Sequence, residues 1–458
     1  MAVMAMKRKI TQQLINWKNR PDHKPLILQG ARQVGKTYIL EEFGREHYKN
    51  YIKVSLDLVP DVRNFLKDNI NPLEIIAYLE TLYNVRIVPH ETLVILDEIQ
   101  DCKRALLALK YFQEDYPQYD IVAAGSLLGV AVNQGNKPDE QEEEQQQEEE
   151  EFSYPVGKVD ELRLYPMDFE EFLWATGNEI LAGEIRSHFE TNEAMPASVH
   201  AMALDLYQKY LIIGGMPESV QKWVDTHSYL ECRGVQQAIL LGYNADMAKY
   251  AKPATTVKIR ACFNSIPAQL AKENRKFQYK LAQKGGTAKI FGEAIEWLIL
   301  AGIVHKCKLI SHGFIPISAQ EDDSDFKIYM SDIGLLNTKA QMPAQMLLNS
   351  IETENTFLGS VAENYVAQAL SANGITLRYW KNNNTQEVEY ILQAGMNVIP
   401  IEVKKGKKVD AISMNNFKKT YNCPFAYRIS GKNFGFAGEI KSVPLYAVFC
   451  IEAKKDFE

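Results

Sequence analysis

A glycine-containing loop between two apolar segments is the feature that most limits how this chain can fold. The stretch LILQGARQVGKTYIL, residues 26–40, fits the pattern G-x-x-x-x-G-K-[ST], with a buried-strand run before it and apolar residues at helical spacing after it. In such a unit the backbone N–H groups wrap phosphates, the lysine reaches the β and γ oxygens, and the hydroxyl binds Mg²⁺. The pattern therefore predicts an Mg²⁺–ATP site. The predicted nucleotide-binding residues are Gly30, Ala31, Arg32, Gln33, Val34, Gly35, Lys36 and Thr37.

Two further strands are predicted to end beside this loop. The stretch LVILDEIQ has four apolar residues followed by Asp97 and Glu98. We predict that Asp97, with Thr37, holds Mg²⁺, and that Glu98 polarises the attacking water, a role that a hydrolase needs. The strand in YDIVAAGS ends in Ser126, which we predict near the γ-phosphate. Lys36, Glu98 and Ser126 are the predicted catalytic residues; an ordinary strand-end acid pair and a capping serine are the alternatives.

A second motif permits a different nucleotide. Asn136–Asp139, NKPD, matches the guanine-reading pattern N-K-x-D. GTPases also place a glycine three residues after the strand-end aspartate, where this chain has Gln100, so the sequence favours ATP.

An acidic run follows this motif. Residues 138–151 contain nine acids and no base, and removing them from the 58 acids of the chain leaves 49 against 51 bases. The net charge of −7 therefore comes from this run. We predict a solvated, disordered insertion, with a docking or autoinhibitory tail as the alternative.

Length and composition exclude several classes. A chain of 458 residues predicts two to four domains at roughly 100–200 residues each. The longest apolar run, IEWLILAGIV, is shorter than the roughly 20 residues of a membrane span, and the N-terminus lacks the apolar segment of a secretory signal. The six cysteines form no C-x-x-C pair, which argues against zinc and disulfide frameworks. We expect a cytoplasmic protein without membrane contact.

The middle of the chain is predicted to be helical and then basic. The GGMPE stretch, Gly214–Glu218, is interpreted as a turn, with a hinge as the alternative. Residues 256–310 contain ten bases and three acids. A helix over NRKFQYK, a turn at Gly285–Gly286, a helix through AIEWLILAGIV and later strands suit a winged helix, whose bases and aromatic rings contact nucleic acid. A solvated basic face on a protein-binding module is an equal alternative.

The last hundred residues contain the elements of a metal nuclease site. EVEYILQAG and VIPIEVKK are predicted as adjacent strands that carry Glu389, and Glu402 with Lys404 on one face. Two carboxylates for Mg²⁺, a lysine that stabilises or activates the water, and the helix acid Glu363 complete this second predicted site. Similar nucleases usually have Asp at the position of Glu389, so a degenerate binding or dimerisation domain is favoured over an active nuclease. The lysines within residues 401–408 keep DNA or RNA as possible partners, although lysines are also common on exposed edge strands.

Several stretches in order carry a family resemblance. GARQVGKT, LDEIQ, AAGS, YPVGKVDELRLYPMDFEEFLWA and YLIIGGMPESV, and later AIEWLILAGIVHKC, KIYMSDIGLL and LGSVAENYVAQAL, resemble prokaryotic AAA-type ATPases with a large C-terminal domain of unknown function. The resemblance implies an α/β fold: a P-loop NTPase core of the ASCE, AAA type with a parallel sheet, a helical lid, a winged-helix-like segment and a C-terminal α/β domain like restriction endonucleases. It implies no settled substrate. Lys158 stands where this family often has arginine, which leaves Arg163 as a substitute arginine finger.

These observations predict four domains and one main function. The domains are the ATPase core at 1–175, a helical lid at 176–255, a winged-helix-like segment at 256–340 and a nuclease-like domain at 341–458. We predict an ATPase whose nucleotide state switches a C-terminal half that binds nucleic acid through 256–310 and 401–408. The alternatives are an ATP-gated protein–protein switch on an inactive nuclease-like scaffold, and an ATP-coupled metal-dependent nuclease. The sequence gives no prediction of oligomeric state.

Overall fold

The computed structural model describes residues 6–126, 155–353, 355–382, 386–406 and 412–452. The chain divides into a first unit, Lys7–Tyr165, and a second unit, Pro166–Glu458 with Met1–Met6. The acidic run at 138–151, the NKPD motif, Lys407 and Lys408 lie outside the described residues.

The first unit is built on a parallel sheet of five strands. In the order β2-β3-β4-β1-β5, every neighbouring pair is parallel. All residues of β3 and β4 are buried, as expected for central strands of a sheet covered on both faces. The strands are β1 (Leu26–Gln29), β2 (Asn50–Ser55), β3 (Thr92–Asp97), β4 (Asp120–Gly125) and β5 (Asp160–Arg163).

The described residues of the first unit form five α-helices, of which the first precedes β1 and the other four lie between strands. They are α1 (Ile10–Asn19), α2 (Lys36–His47), α3 (Pro60–Asp68), α4 (Pro72–Tyr83) and α5 (Lys103–Asp115). Helix α5 buries Ala105, Leu109 and Phe112 in a core shared with β3 and β4. Because β4 lies between β1 and β3, the carboxyl ends of these three strands meet at one edge of the sheet. The predicted α/β fold with a P-loop-type parallel sheet is confirmed.

The second unit contains twelve helices within its described residues. They are α6 (Phe169–Ala175), α7 (Glu179–Thr191), α8 (Ala197–Ile213), α9 (Pro217–Thr226), α10 (Tyr229–Tyr250), α11 (Pro253–Leu270), α12 (Tyr279–Ala282), α13 (Ala288–Leu300), α14 (Ile333–Lys339), α15 (Ala344–Leu348), α16 (Thr356–Ala372) and α17 (Ile412–Thr420). In the described parts of the chain, no helix is long and apolar enough to cross a bilayer.

Two mixed sheets complete the second unit. The first has the order β7-β6-β8-β9 and the second β10-β11-β12-β14-β13. The strands are β6 (Val304–Ile310), β7 (Glu321–Met330), β8 (Arg378–Asn382), β9 (Gln386–Val388), β10 (Tyr390–Ala394), β11 (Asn397–Val403), β12 (Ala426–Ser430), β13 (Gly435–Ala437) and β14 (Ile440–Pro444). The predicted pairing of EVEYILQAG with VIPIEVKK is confirmed by the antiparallel pair β10 and β11. The chain passes from one sheet to the other at Glu389, between β9 and β10.

Aromatic rings from distant parts of the second unit share one core. The rings of Tyr207 on α8 and Tyr365 on α16 lie 4.8 Å apart between centroids. Phe169 on α6 lies 6.4 Å from Phe449, which belongs to the short 3-10 helix Leu445–Cys450. Helix α8, predicted as part of the lid, therefore packs against α16 of the predicted nuclease-like domain, and α6, predicted as part of the ATPase core, packs against the 3-10 helix. The predicted domain boundaries at 175, 255 and 340 stay predictions.

The predicted turn at GGMPE is confirmed and is tightly packed. Gly214 has φ +70°, and a Cβ there would lie 2.5 Å from Asp332 Oδ1. The Gly215 N–H donates to Asp332 Oδ2 at 2.6 Å. Burial raises the pKa of the Asp332 carboxyl to about 6, although backbone N–H donors oppose that shift.

The predicted helix over NRKFQYK is wrong, whereas the helix through AIEWLILAGIV is confirmed as α13. Helix α11 ends at Leu270, and the next helix begins only at Tyr279. Between them, the N–H of Phe277 donates to the carbonyl of Phe326 at 2.8 Å, and the two rings stack at 5.5 Å. Tertiary contacts with β7 therefore override the local helical preference.

Candidate nucleotide-binding site

The loop between β1 and α2 adopts backbone conformations that its sequence makes possible. Gly35, the residue before α2, has φ +93°, and Gln33 has φ +66°. A Cβ on Gly30 would lie 2.3 Å from the carbonyl oxygen of Leu164, which follows β5. Ala31 and Val34 are buried and anchor the loop, whereas Arg32 and Gln33 are exposed. Glycine is thus required at both ends of the loop.

Lys36 extends into the loop that precedes it. Its side chain is buried, and Nζ donates to the carbonyl oxygens of Gly30 and Ala31, each at 2.9 Å. This arrangement holds the ammonium group inside the loop, where a phosphate would be bound.

The loop and the third strand meet through one hydrogen bond. The Thr37 hydroxyl donates to Asp97 Oδ2 at 2.8 Å. Burial raises the pKa of the Asp97 carboxyl, and the hydrogen bond from Thr37 partly opposes that shift. A hydroxyl and a carboxylate side by side are oxygen ligands of the kind that Mg²⁺ takes. These two predicted Mg²⁺ residues are therefore brought together.

Glu98 lies directly beside this pair in an uncommon backbone conformation. Its φ of +53° and ψ of +47° are left-handed, and its N–H donates to Asp97 Oδ1 at 3.1 Å. Ser126 Oγ donates to Glu98 Oε2 at 3.4 Å. The structure thus places Glu98 and Ser126 together at the carboxyl edge of the sheet, as the strand order requires. Their catalytic roles stay predictions.

The substitute candidate for an arginine finger, Arg163, lies on the edge strand β5. Arg163 is exposed at the end of β5, and its register partner in β1 is Gln29. Lys158 forms an ion pair with Glu114 at 2.9 Å.

The second predicted site also comes together in space, within the second unit. Lys404 Nζ lies 2.6 Å from Glu402 Oε1 and 3.5 Å from Glu389 Oε1. Glu363 on α16 forms an ion pair with Arg275 at 2.5 Å. A cavity of about 590 Å³ is lined by Glu363, Glu389, Lys404 and Arg275, among others.

The charges of this second cluster largely neutralise one another. Burial and then the nearby Glu402 raise the pKa of Glu389 to about 7, while Lys404 opposes that shift. Burial raises the pKa of Glu363, and Arg275 opposes it. In the described parts of the chain, no group of three or more His, Cys, Asp or Glu side chains is arranged to hold a metal ion. The carboxylates are instead paired with bases: Glu363 with Arg275, and Glu389 and Glu402 with Lys404.

Comparisons with known proteins bear on the first unit. Residues 22–173 match the family model described as AAA domain. The first unit, Lys7–Tyr165, therefore resembles an AAA domain, and we call it the AAA-like unit. Residues 204–346 and 358–447 match two models described as domains of unknown function, DUF8612 and DUF4143. No curated protein matches the chain in sequence.

The solved structures that match this chain include two proteins, both with TM-scores under 0.5. A Walker-type ATPase of Pyrococcus abyssi is 15% identical with a TM-score of 0.44, covering 73% of this chain and 96% of that one. AMPPCP-bound DnaA from Aquifex aeolicus is 12% identical with a TM-score of 0.25, covering 64% of this chain and 90% of that one.

Two residues of the AAA-like unit were missed by the sequence analysis. Arg8 is buried, and its guanidinium donates to the carbonyls of Val34 at 3.0 Å and Tyr165 at 2.7 Å. Gln100 is buried and donates from Nε2 to Glu98 Oε2. The partners of Arg8 are backbone atoms far along the chain, so no motif marks it. Gln100 stands inside the LDEIQ stretch, where its spacing from Glu98 was a usable signal.

Proposed function

We propose that this protein binds Mg²⁺–ATP and hydrolyses it in the AAA-like unit. The observation that carries the proposal is the hydrogen bond from Thr37 to Asp97, with Glu98 as the next residue. This bond joins the phosphate-binding loop to the strand that ends in carboxylates. A protein that only bound nucleotide would not need the additional acid.

Each residue of the edge has a separate task in this proposal. The loop N–H groups and Lys36 bind the phosphates, and Thr37 and Asp97 would hold Mg²⁺, which would supply positive charge against the charge that develops on the phosphates. Glu98 accepts a proton from water as the water oxygen bonds to the γ-phosphorus and the bond to the ADP oxygen breaks. Ser126, whose hydroxyl lies 3.4 Å from Glu98 Oε2, is assigned to contact the γ-phosphate.

The direct test is ATP turnover by the purified protein, with and without Mg²⁺. Glu98→Gln should keep ATP binding and lose turnover, whereas Lys36→Ala should weaken binding itself. Turnover in Glu98→Gln equal to that of the wild type would refute the assignment of Glu98.

The nucleotide state is proposed to control what the second unit binds. Nucleic acid is the first candidate partner, because 256–310 carries ten bases and three acids. Several of those bases, however, pair with acids from later in the chain: Arg275 with Glu363, Lys276 with Asp325, and Lys308 with Glu321. This internal neutralisation favours the second candidate, an ATP-gated switch that binds a protein partner.

Turnover measured with added DNA or RNA separates these two candidates. Stimulation that is lost in Glu98→Gln would support a nucleic-acid-coupled ATPase. Turnover that is indifferent to either polymer would support the protein-partner switch.

A nuclease is the third candidate and has the least support. Glu389, Glu402 and Lys404 lie together, but Lys404 already pairs with both acids. If the site cleaves nucleic acid, Lys404→Ala should abolish Mg²⁺-dependent cleavage by the intact protein. No cleavage of single- or double-stranded DNA or RNA by the wild type would favour the inactive scaffold.

A further inference from the structure

Gln100 sits in the short 3-10 turn Ile99–Asp101 that follows β3 and Glu98. Ile99 is fully buried in the hydrophobic core of the first unit, and its packing there holds the turn in place. Gln100 is only 9% exposed, although nothing about a turn requires a buried carboxamide at this position. Its placement is determined by the backbone that also sets Glu98.

The contacts of this carboxamide are asymmetric. Nε2 donates to Glu98 Oε2, whereas Oε1 is buried and has no hydrogen-bond partner among the described residues. A buried acceptor without a partner costs free energy, so an apolar side chain would suit the turn better unless the NH₂ group had a use. In this structure the NH₂ group of Gln100 is used in the hydrogen bond to Glu98 Oε2.

Both side-chain donors that reach Glu98 contact the same oxygen. Ser126 Oγ lies 3.4 Å from Oε2, the oxygen to which Gln100 also donates. Oε1 is thereby the oxygen left to accept a proton. Both donors are neutral, so they orient the carboxylate without the charge pairing that an arginine or lysine would impose and that would weaken it as a base.

We propose that Gln100 is a positioning residue for Glu98, whose carboxylate it holds by Oε2 so that Oε1 is presented to the attacking water. The inference rests on the proposed ATP hydrolysis and adds the residue on which the general base depends. Gln100 itself touches neither water nor nucleotide in this assignment.

The test compares Gln100→Ala and Gln100→Glu in single-turnover ATP hydrolysis by the full chain. The first removes the donor; the second keeps the shape but sets an acceptor with like charge against Glu98. Both should slow hydrolysis by about 10- to 100-fold, the loss of one hydrogen bond to a charged group, with ATP affinity unchanged. Normal hydrolysis in Gln100→Glu would overturn the proposal.

Gln113 offers a matched control. It is a glutamine of α5, in the same unit, and its Oε1 is also buried with no hydrogen-bond partner in the part of the chain that the structure describes. It lies near the end of α5 that precedes β4, away from the carboxyl edge of the sheet. Gln113→Ala should leave hydrolysis unchanged, and a loss equal to that of Gln100→Ala would identify a general packing defect and refute the positioning role.

A double-mutant cycle with Glu98→Gln separates positioning from any independent effect. If Gln100 acts through Glu98, adding Gln100→Ala to Glu98→Gln should cause no further loss of the single-turnover rate. Losses that multiply would overturn the inference while the proposed function stands. A wild type that does not hydrolyse ATP would instead overturn the proposed function and the inference together.

Discussion

The Thr37 hydroxyl and the Asp97 carboxylate lie 2.8 Å apart, although 60 residues separate them in the chain. Thr37 belongs to the first turn of α2, and Asp97 is the last residue of β3. Strand β1, which precedes the loop and α2, is not a neighbour of β3, because β4 lies between them. The hydrogen bond therefore spans the sheet edge and links α2 to the residue that precedes Glu98, the proposed general base.

Thr37→Ala should remove most of the gain in ATP affinity that Mg²⁺ provides, because one of the two proposed oxygen ligands would be lost. We expect a loss of about tenfold in affinity with Mg²⁺ and little change in EDTA. Titration of a fluorescent ATP analogue under both conditions measures this. Thr37→Ser, which keeps the hydroxyl, is the control, and equal affinities for Thr37→Ala and the wild type in Mg²⁺ would contradict the assignment.

Gly30→Ala should destabilise the AAA-like unit by about 1–3 kcal/mol, because the new Cβ would overlap the Leu164 carbonyl at 2.3 Å. Urea unfolding of the two proteins measures the difference. Gly183→Ala is the comparison: this helical glycine of α7 has open space around its Cβ position. That change should stabilise the second unit by about 0.5–1 kcal/mol. A neutral Gly30→Ala would show that β5 can move away from the loop.

The candidate nucleotide-binding site of the AAA-like unit could largely be predicted, because the sequence patterns that mark its residues are local. A loop pattern and strand-end side chains need only the rule that parallel strands end at one edge, and that rule places Asp97, Glu98 and Ser126 together. Arg8 was not predictable, since its guanidinium binds carbonyls 26 and 157 residues away. Backbone acceptors carry no sequence signal.

The basic segment shows what a charge count over a window leaves out. Ten bases and three acids within 256–310 suited a nucleic-acid surface and a solvated basic face on a protein-binding module equally well. Arg275 instead reaches the buried Glu363, and Lys276 pairs with Asp325. The compensating acids lie 88 and 49 residues further along, and only the fold brings them near. For the same reason, the segment NRKFQYK contacts β7 and does not form the predicted helix.

Arg275→Ala should destabilise the second unit by about 3–5 kcal/mol, because it leaves Glu363 buried without its cation. Glu363 is 3% exposed, and Arg275 also donates to Ser360 Oγ at 2.8 Å. Lys276→Ala is the matched control, since its pair with Asp325 is partly exposed on the lysine side and should contribute about 0–1 kcal/mol. Chemical unfolding compares the two variants. Weaker DNA binding by Arg275→Ala at unchanged stability would show instead that this arginine binds the phosphates of DNA.

His23 should make the stability of the AAA-like unit depend on pH. Its Nε2 lies 2.9 Å from Asp120 Oδ1, and its Nδ1 lies 2.8 Å from the carbonyl of Arg20. Both partners are acceptors, so the ring is best satisfied when both nitrogens carry protons. The hydrogen bond with Asp120 raises the pKa of His23, while burial opposes that shift.

Because the pKa of His23 is raised in the folded protein, its contribution to stability decreases as pH rises. Because the folded state binds the proton more tightly, the stabilisation by His23 is full below about pH 6.5 and is lost as pH rises through the higher folded pKa. The advantage of the wild type over His23→Gln in free energy of unfolding should therefore shrink between about pH 6 and 8, by about 1.4 kcal/mol for each unit of pKa elevation. Urea unfolding of both proteins across this range measures it. A constant difference would mean that His23 has the same pKa in the folded and unfolded protein, and a growing difference would mean that folding lowers its pKa.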